Sequence, residues 1–122
     1  MNEIERIISA LKSIRISAQP EETDIHAAIA DSLCKANIPF EHEYRLSPRT
    51  RIDFVCGTIG IEVKKSRPKA SALQAQLKRY LEDSCLTAAI VVLQRPCSLP
   101  KTICGKEIHV VSLNRLWGVA LP

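Results

Sequence analysis

The sequence predicts an α/β protein: a mixed sheet flanked by helices, with one extra helix at the N-terminus. Three observations carry this. Apolar residues recur at helical spacing over residues 3–15 and again over 20–36, and from Phe40 the period falls to two. Strand-length segments then follow one another through turns at 47–50 and 57–60. A helical segment over 71–83 separates them from Ala88 to Leu93, a run of six apolar residues of the kind found in a strand covered on both faces.

Each element has a local reason. In the first helix Ile4, Ile7, Ile8, Leu11 and Ile14 form one apolar stripe, and residues 17–20 break it. Pro20 fits the first turn of a second helix, where Glu21, Glu22 and Asp24 favour the positive end of the dipole. Ile25, Ala28, Ile29, Ser32 and Leu33 carry that stripe to Ala36, and Asn37-Ile38-Pro39 ends it. In the first strand Phe40, His42, Tyr44 and Leu46 alternate with Glu41, Glu43, Arg45 and Ser47. Residues 51–55 and 59–65 are the second and third strands. Leu73, Leu77, Tyr80 and Leu81 line the inner face of the helix over 71–83. A loop over 96–100, a strand over 107–111 and a short helix over 113–117 complete the order.

Length and composition narrow the function classes. A chain of 122 residues, 46% hydrophobic and 25% charged, has the size and make-up of one globular domain. Residues 1–19 form a helical extension, 20–93 the core, and 94–122 a C-terminal strand and helix. Disorder and coiled coil fit poorly. The longest apolar run is six residues, against the roughly 20 needed to cross a bilayer, so no membrane association is expected. Glu3, Glu5 and Arg6 stand where a signal peptide needs apolar residues, and the five cysteines contain no CxxC pair. Both observations point to a cytoplasmic protein with reduced thiols.

The net charge of +4 is unevenly spread. Residues 20–43 carry one basic and six acidic side chains; residues 44–69 carry seven basic and two acidic. Such blocks are solvated faces in most proteins, and in some an anion site with acidic metal ligands folded onto it.

Two carboxylates and a lysine stand out. Asp53 lies among Ile52, Phe54 and Val55, where an ionised carboxylate needs a partner. Glu62 and Lys64 alternate with Ile61 and Val63, so they point to the same side of a strand. A hairpin joining the two strands brings Asp53 near Glu62. Hard oxygen ligands of this kind suit Mg²⁺ or Mn²⁺, with the Val63 carbonyl as a further ligand. Such a cation can polarise a phosphoryl group and acidify a bound water, and Lys64 can position that water and offset developing charge.

The stretch RIDFV, then eight residues between Asp53 and Glu62, then EVK, resembles the PD-(D/E)XK nuclease superfamily. The helix that follows carries Gln76-Leu77-Lys78-Arg79-Tyr80, which is similar to the QxxxY motif of the RecB-like branch. Gln76 and Tyr80 lie one turn apart on one helix face. The resemblance covers about 75 residues and implies a restriction-endonuclease-like αβββαβ core, as in small Holliday-junction-resolvase-like nucleases. It departs from the pattern at Ile52, where the proline of the PD pair would stand. It implies Asp53, Glu62 and the Val63 carbonyl as metal ligands. Lys64, Gln76 and Glu22 complete the catalytic set, with His26 and Tyr80 as further candidates. The implied activity is Mg²⁺- or Mn²⁺-dependent hydrolysis of DNA rather than RNA. Structure is expected to matter more than sequence, because no separate recognition domain fits in the chain.

Cys97 and Cys104 are too sparse for the iron–sulfur cluster of some RecB-like enzymes, so none is expected. Lys65, Arg67, Lys69, Lys78, Arg79, Arg49 and Arg51 flank the motifs and are the natural phosphate-contacting set. The stripe of the first helix is a candidate homodimer interface, or else packs on the domain's own sheet. The alternative function is an inactive or partner-dependent nucleic-acid-binding subunit of the same fold.

Overall fold

The computed structural model describes residues 1–15, 20–65, 68–82, 84–95 and 97–112. The predicted helix over 113–117 and Arg67 lie outside the described residues.

Helix α1 (Glu3–Lys12) starts on a capping box: the Asn2 side chain accepts from the Glu5 amide at 2.8 Å, and Glu5 Oε1 accepts from the Asn2 amide at 3.0 Å. It ends before residue 15 because the amides of Ser13 and Ile14 turn back to the carbonyls of Ala10 and Leu11, tightening the last turn. Helix α2 (Glu22–Lys35) starts two residues after Pro20, with the Asp24 carboxylate accepting from the Glu21 amide at 2.8 Å. At its other end Asn37 takes φ 58°, and the amides of Asn37 and Ile38 reach the carbonyls of Cys34 and Leu33. This Schellman closure is what Asn37 before Ile38-Pro39 predicts.

The strands are β1 (Glu41–Ser47), β2 (Thr50–Cys56), β3 (Ile59–Lys64), β4 (Ala88–Leu93), β5 (Thr102–Ile103) and β6 (Lys106–Ser112), with helix α3 (Ala70–Leu81) between β3 and β4. They form a six-stranded sheet in the order β1-β2-β3-β4-β6-β5. The pairs β1–β2, β2–β3 and β5–β6 are antiparallel; β3–β4 and β4–β6 are parallel. The molecule is therefore α/β with a mixed sheet, as predicted.

Helices α1 and α2 cover one face, where Ile7, Leu11, Ile25 and Ile29 pack with Phe54, Ile61 and Ile90. Helix α3 covers the other, where Leu73 and Leu77 pack with Ile52, Val91 and Leu93. All six residues of β4 are buried, as a strand between two helical layers must be. The α1 stripe is absorbed by this core: Ile7, Leu11 and Ile14 are buried, while Ile4 and Ile8 are half-buried against it. The stripe thus packs on the domain's own sheet.

Two features were not visible in the pattern. Strand β5 has two residues, too few for periodicity; it exists because Cys104 and Gly105 both take positive φ (55° and 73°) and join Ile103 to Lys106 in a tight hairpin. The alternation along β1 is also not strict. Phe40 packs on the α1–α2 layer, but Tyr44 and Leu46 pack on the α3 layer. The switch falls at Glu43, whose φ of 54° is uncommon for a non-glycine residue.

Candidate active site

The same switch occurs across the ladder. Glu43 lies between the pairs His42–Phe54 and Tyr44–Ile52, opposite Asp53. In β2, Ile52 packs under α3 while Phe54 packs under α1 and α2. The ribbon thus twists about Asp53, and its side chain emerges between the two layers.

The β2–β3 register runs through Cys56–Ile59, Val55–Gly60 and Phe54–Ile61. One step further would pair Asp53 with Glu62. There, side chains take over the backbone's hydrogen bonds. Asp53 Oδ2 accepts from the Val63 amide at 2.8 Å, and Glu62 Oε1 accepts from the Asp53 amide at 3.4 Å. Two carboxylates thus stand where the sheet opens, at the C-terminal end of β3, where ligands bind in open α/β sheets.

Glu62 is 4% exposed. Burial pushes its carboxyl up to about 7; neighbouring Asp53 adds to the rise, and Lys64 opposes it. Lys64 Nζ is 3.1 Å from Glu62 Oε2. The Tyr80 hydroxyl, from α3, is buried beside Glu62, and burial together with the Glu62 carboxylate raises its pKa strongly. Gln76 Nε2 donates to that hydroxyl at 2.7 Å. Asp53, Glu62, Lys64 and Tyr80 therefore form one cluster. Gln76 stands one hydrogen bond behind it, supporting Tyr80.

From α2, His26 brings Nε2 to 3.8 Å from Asp53 Oδ2. His26 is buried, and that nitrogen has no hydrogen-bond partner. Its Nδ1 lies 2.7 Å from His42 Nε2. His42 also stacks on Phe54, with ring centroids 4.6 Å apart. The motif reading missed His42, which no spacing rule singles out; its only signal was its place beside the Asp53 register. Glu22 stands one turn before His26 on α2 and lines a cavity of about 300 Å³ with His26, His42 and Glu43. Its place in the site is the wall of that cavity, beside His26 and Glu43.

The basic residues are dispersed. Arg49 and Arg51 lie at the β1–β2 turn and Lys64 and Lys65 at the end of β3, which the antiparallel pairing places at one end of the sheet. Arg51 reaches Glu43 at 3.8 Å and Lys65 reaches Glu21 at 3.7 Å. Lys69 stands at the position just before α3, and exposed Lys78 and Arg79 occupy its last turn.

Among the described residues no three His, Cys, Asp or Glu side chains are gathered closely enough to hold a metal ion. The donor set nevertheless fits a small hard cation, which uses one or two carboxylates and completes its shell with water and phosphate oxygens. Asp53, Glu62 and the Val63 carbonyl would hold it, and the unpartnered His26 nitrogen faces the same place. Among the described residues no helix is long and apolar enough to cross a membrane. Comparison with protein-family models, curated proteins and solved structures gives no match.

Proposed function

We propose that the chain is a Mg²⁺- or Mn²⁺-dependent deoxyribonuclease of the PD-(D/E)XK type. The observation that carries this reading is the opened end of the β2–β3 ladder, where Asp53, Glu62 and Lys64 converge. The mixed sheet order, with α3 crossing from β3 to β4, supports it. So does the Gln76–Tyr80 pair directed at Glu62.

The residues divide the work. Asp53 and Glu62 would hold the cation, and two neighbouring carboxyl groups, one of them buried, have reason to take one. When bound, the cation polarises the scissile phosphoryl group and acidifies a water. Lys64, tethered to Glu62 in the resting site, turns toward that water and toward the charge that builds on the phosphoryl oxygens. Tyr80, braced by Gln76, fixes the Glu62 carboxylate. Lys64, Lys65, Arg49 and Arg51 supply phosphate contacts at the same end of the sheet, and these read backbone rather than sequence. DNA is the substrate proposed, in preference to RNA.

The test is cleavage of labelled single-stranded, duplex, flap and four-way-junction DNA in Mn²⁺, Mg²⁺ or EDTA. Metal-dependent cutting that is lost in Asp53→Ala and Lys64→Ala is expected. Binding without cutting would instead favour a partner-dependent or inactive nucleic-acid-binding subunit.

A further inference from the structure

We propose that His42 is a positioning residue: by accepting the Nδ1 proton of His26 it turns the His26 Nε2 lone pair toward the cation site at Asp53. The inference rests on the cation-dependent reading above, in which His26 is already a site candidate, and adds the group that orients it.

His26 Nδ1 and His42 Nε2 are 2.7 Å apart and share one proton. If His42 carries it, neutral His26 must hold its own proton on Nε2, and a donor then points at the place where a cation would sit. If His26 Nδ1 carries it, Nε2 is a free lone pair. Only the second arrangement can ligate. His26 Nε2 is buried, has no hydrogen-bond partner, and faces Asp53 Oδ2 across 3.8 Å. A nitrogen and a carboxylate oxygen that face each other beyond hydrogen-bond distance form an arrangement that a cation would complete.

His42 is held to this task. Its ring stacks on Phe54, which is wholly buried, at an interplanar angle of 22°. His42 also lines the 300 Å³ cavity beside Glu22 and Glu43. A ligating histidine held through its second nitrogen is a general device of metal sites, and loss of the outer partner costs roughly 10–100-fold in affinity. An imidazole ligand also shifts preference from Mg²⁺ toward Mn²⁺.

The experiment is Mn²⁺ titration of the full chain, with electron-spin-echo spectroscopy of the bound ion to detect a coordinated nitrogen. Wild type is expected to show the nitrogen signal, and His26→Gln to lose it. His42→Leu is expected to bind Mn²⁺ about 10-fold more weakly with a diminished signal. His42→Gln, whose amide oxygen can accept the same proton, is expected to recover both. Thermal melting confirms that each variant is folded. Tight Mn²⁺ binding without a nitrogen signal would overturn the proposal while leaving the carboxylate site standing. His42→Leu matching wild type in affinity and signal would do the same. Failure of wild type to bind Mn²⁺ would overturn the cation site and this proposal together.

Discussion

The two ends of the β2–β3 ladder are built from the same pair of strands and do opposite things. From Phe54–Ile61 to Cys56–Ile59 the backbones pair regularly and the side chains are apolar and buried. At Asp53 and Glu62 carboxylates intercept the backbone amides instead, and a charge stands in a protein interior. The closed end supplies stability. The open end spends some of it, in burial of Glu62 and in the backbone of Glu43, to hold charged groups where they can act.

The largest effect that sharpens this contrast is at the closed end. Phe54→Ala removes a wholly buried β2 ring that packs against His26 of α2 and His42 of β1. It should cost about 3–5 kcal/mol in urea denaturation. At the open end Lys64→Ala should leave the unfolding free energy within about 1 kcal/mol of wild type below pH 7, since Lys64 is partly exposed and the buried Glu62 it leaves behind can take up a proton. It should lower the cleavage rate about 10²–10³-fold.

The next effect is a pH dependence. The Glu62 carboxyl is raised from 4.5 to about 7 in the folded state, chiefly by burial. Between these values the folded chain holds a proton that the unfolded chain has released. Wild-type stability should therefore fall as pH rises through this window, whereas Glu62→Gln should not show the fall. The variant should gain on wild type by on the order of 1–3 kcal/mol by the top of the window. Parallel stability curves would mean that Glu62 is not strained by burial. The smallest effect is at the twist. Glu43→Gly should be neutral or stabilising by about 0.5–1 kcal/mol, and Glu43→Val clearly destabilising, because only glycine adopts this φ freely.

Much of this was legible in the sequence because it depends on local pattern. The order of elements as far as the fully buried Ala88 to Leu93 strand, and the Asn37 helix end, follow from periodicity and caps. Asp53, Glu62 and Lys64 could be grouped because a hairpin's register is set by spacing. The rest depends on contacts between distant residues. Nothing in Glu41-His42-Glu43-Tyr44 announces that the strand changes faces at Glu43. Nor does any local pattern place His42 against His26, sixteen positions away. The dispersal of Lys65 to Glu21 and of Arg51 to Glu43 is likewise a matter of tertiary proximity.

The central claim is that the open end is kept at a cost in stability because it binds a divalent cation. The most direct measurement is thermal melting of wild type and Glu62→Gln above pH 7, with and without Mn²⁺. The account predicts that the variant melts higher in the absence of metal, and that Mn²⁺ raises the midpoint of wild type but not of the variant. A midpoint that Mn²⁺ leaves unchanged in wild type, or raises equally in both proteins, would contradict it.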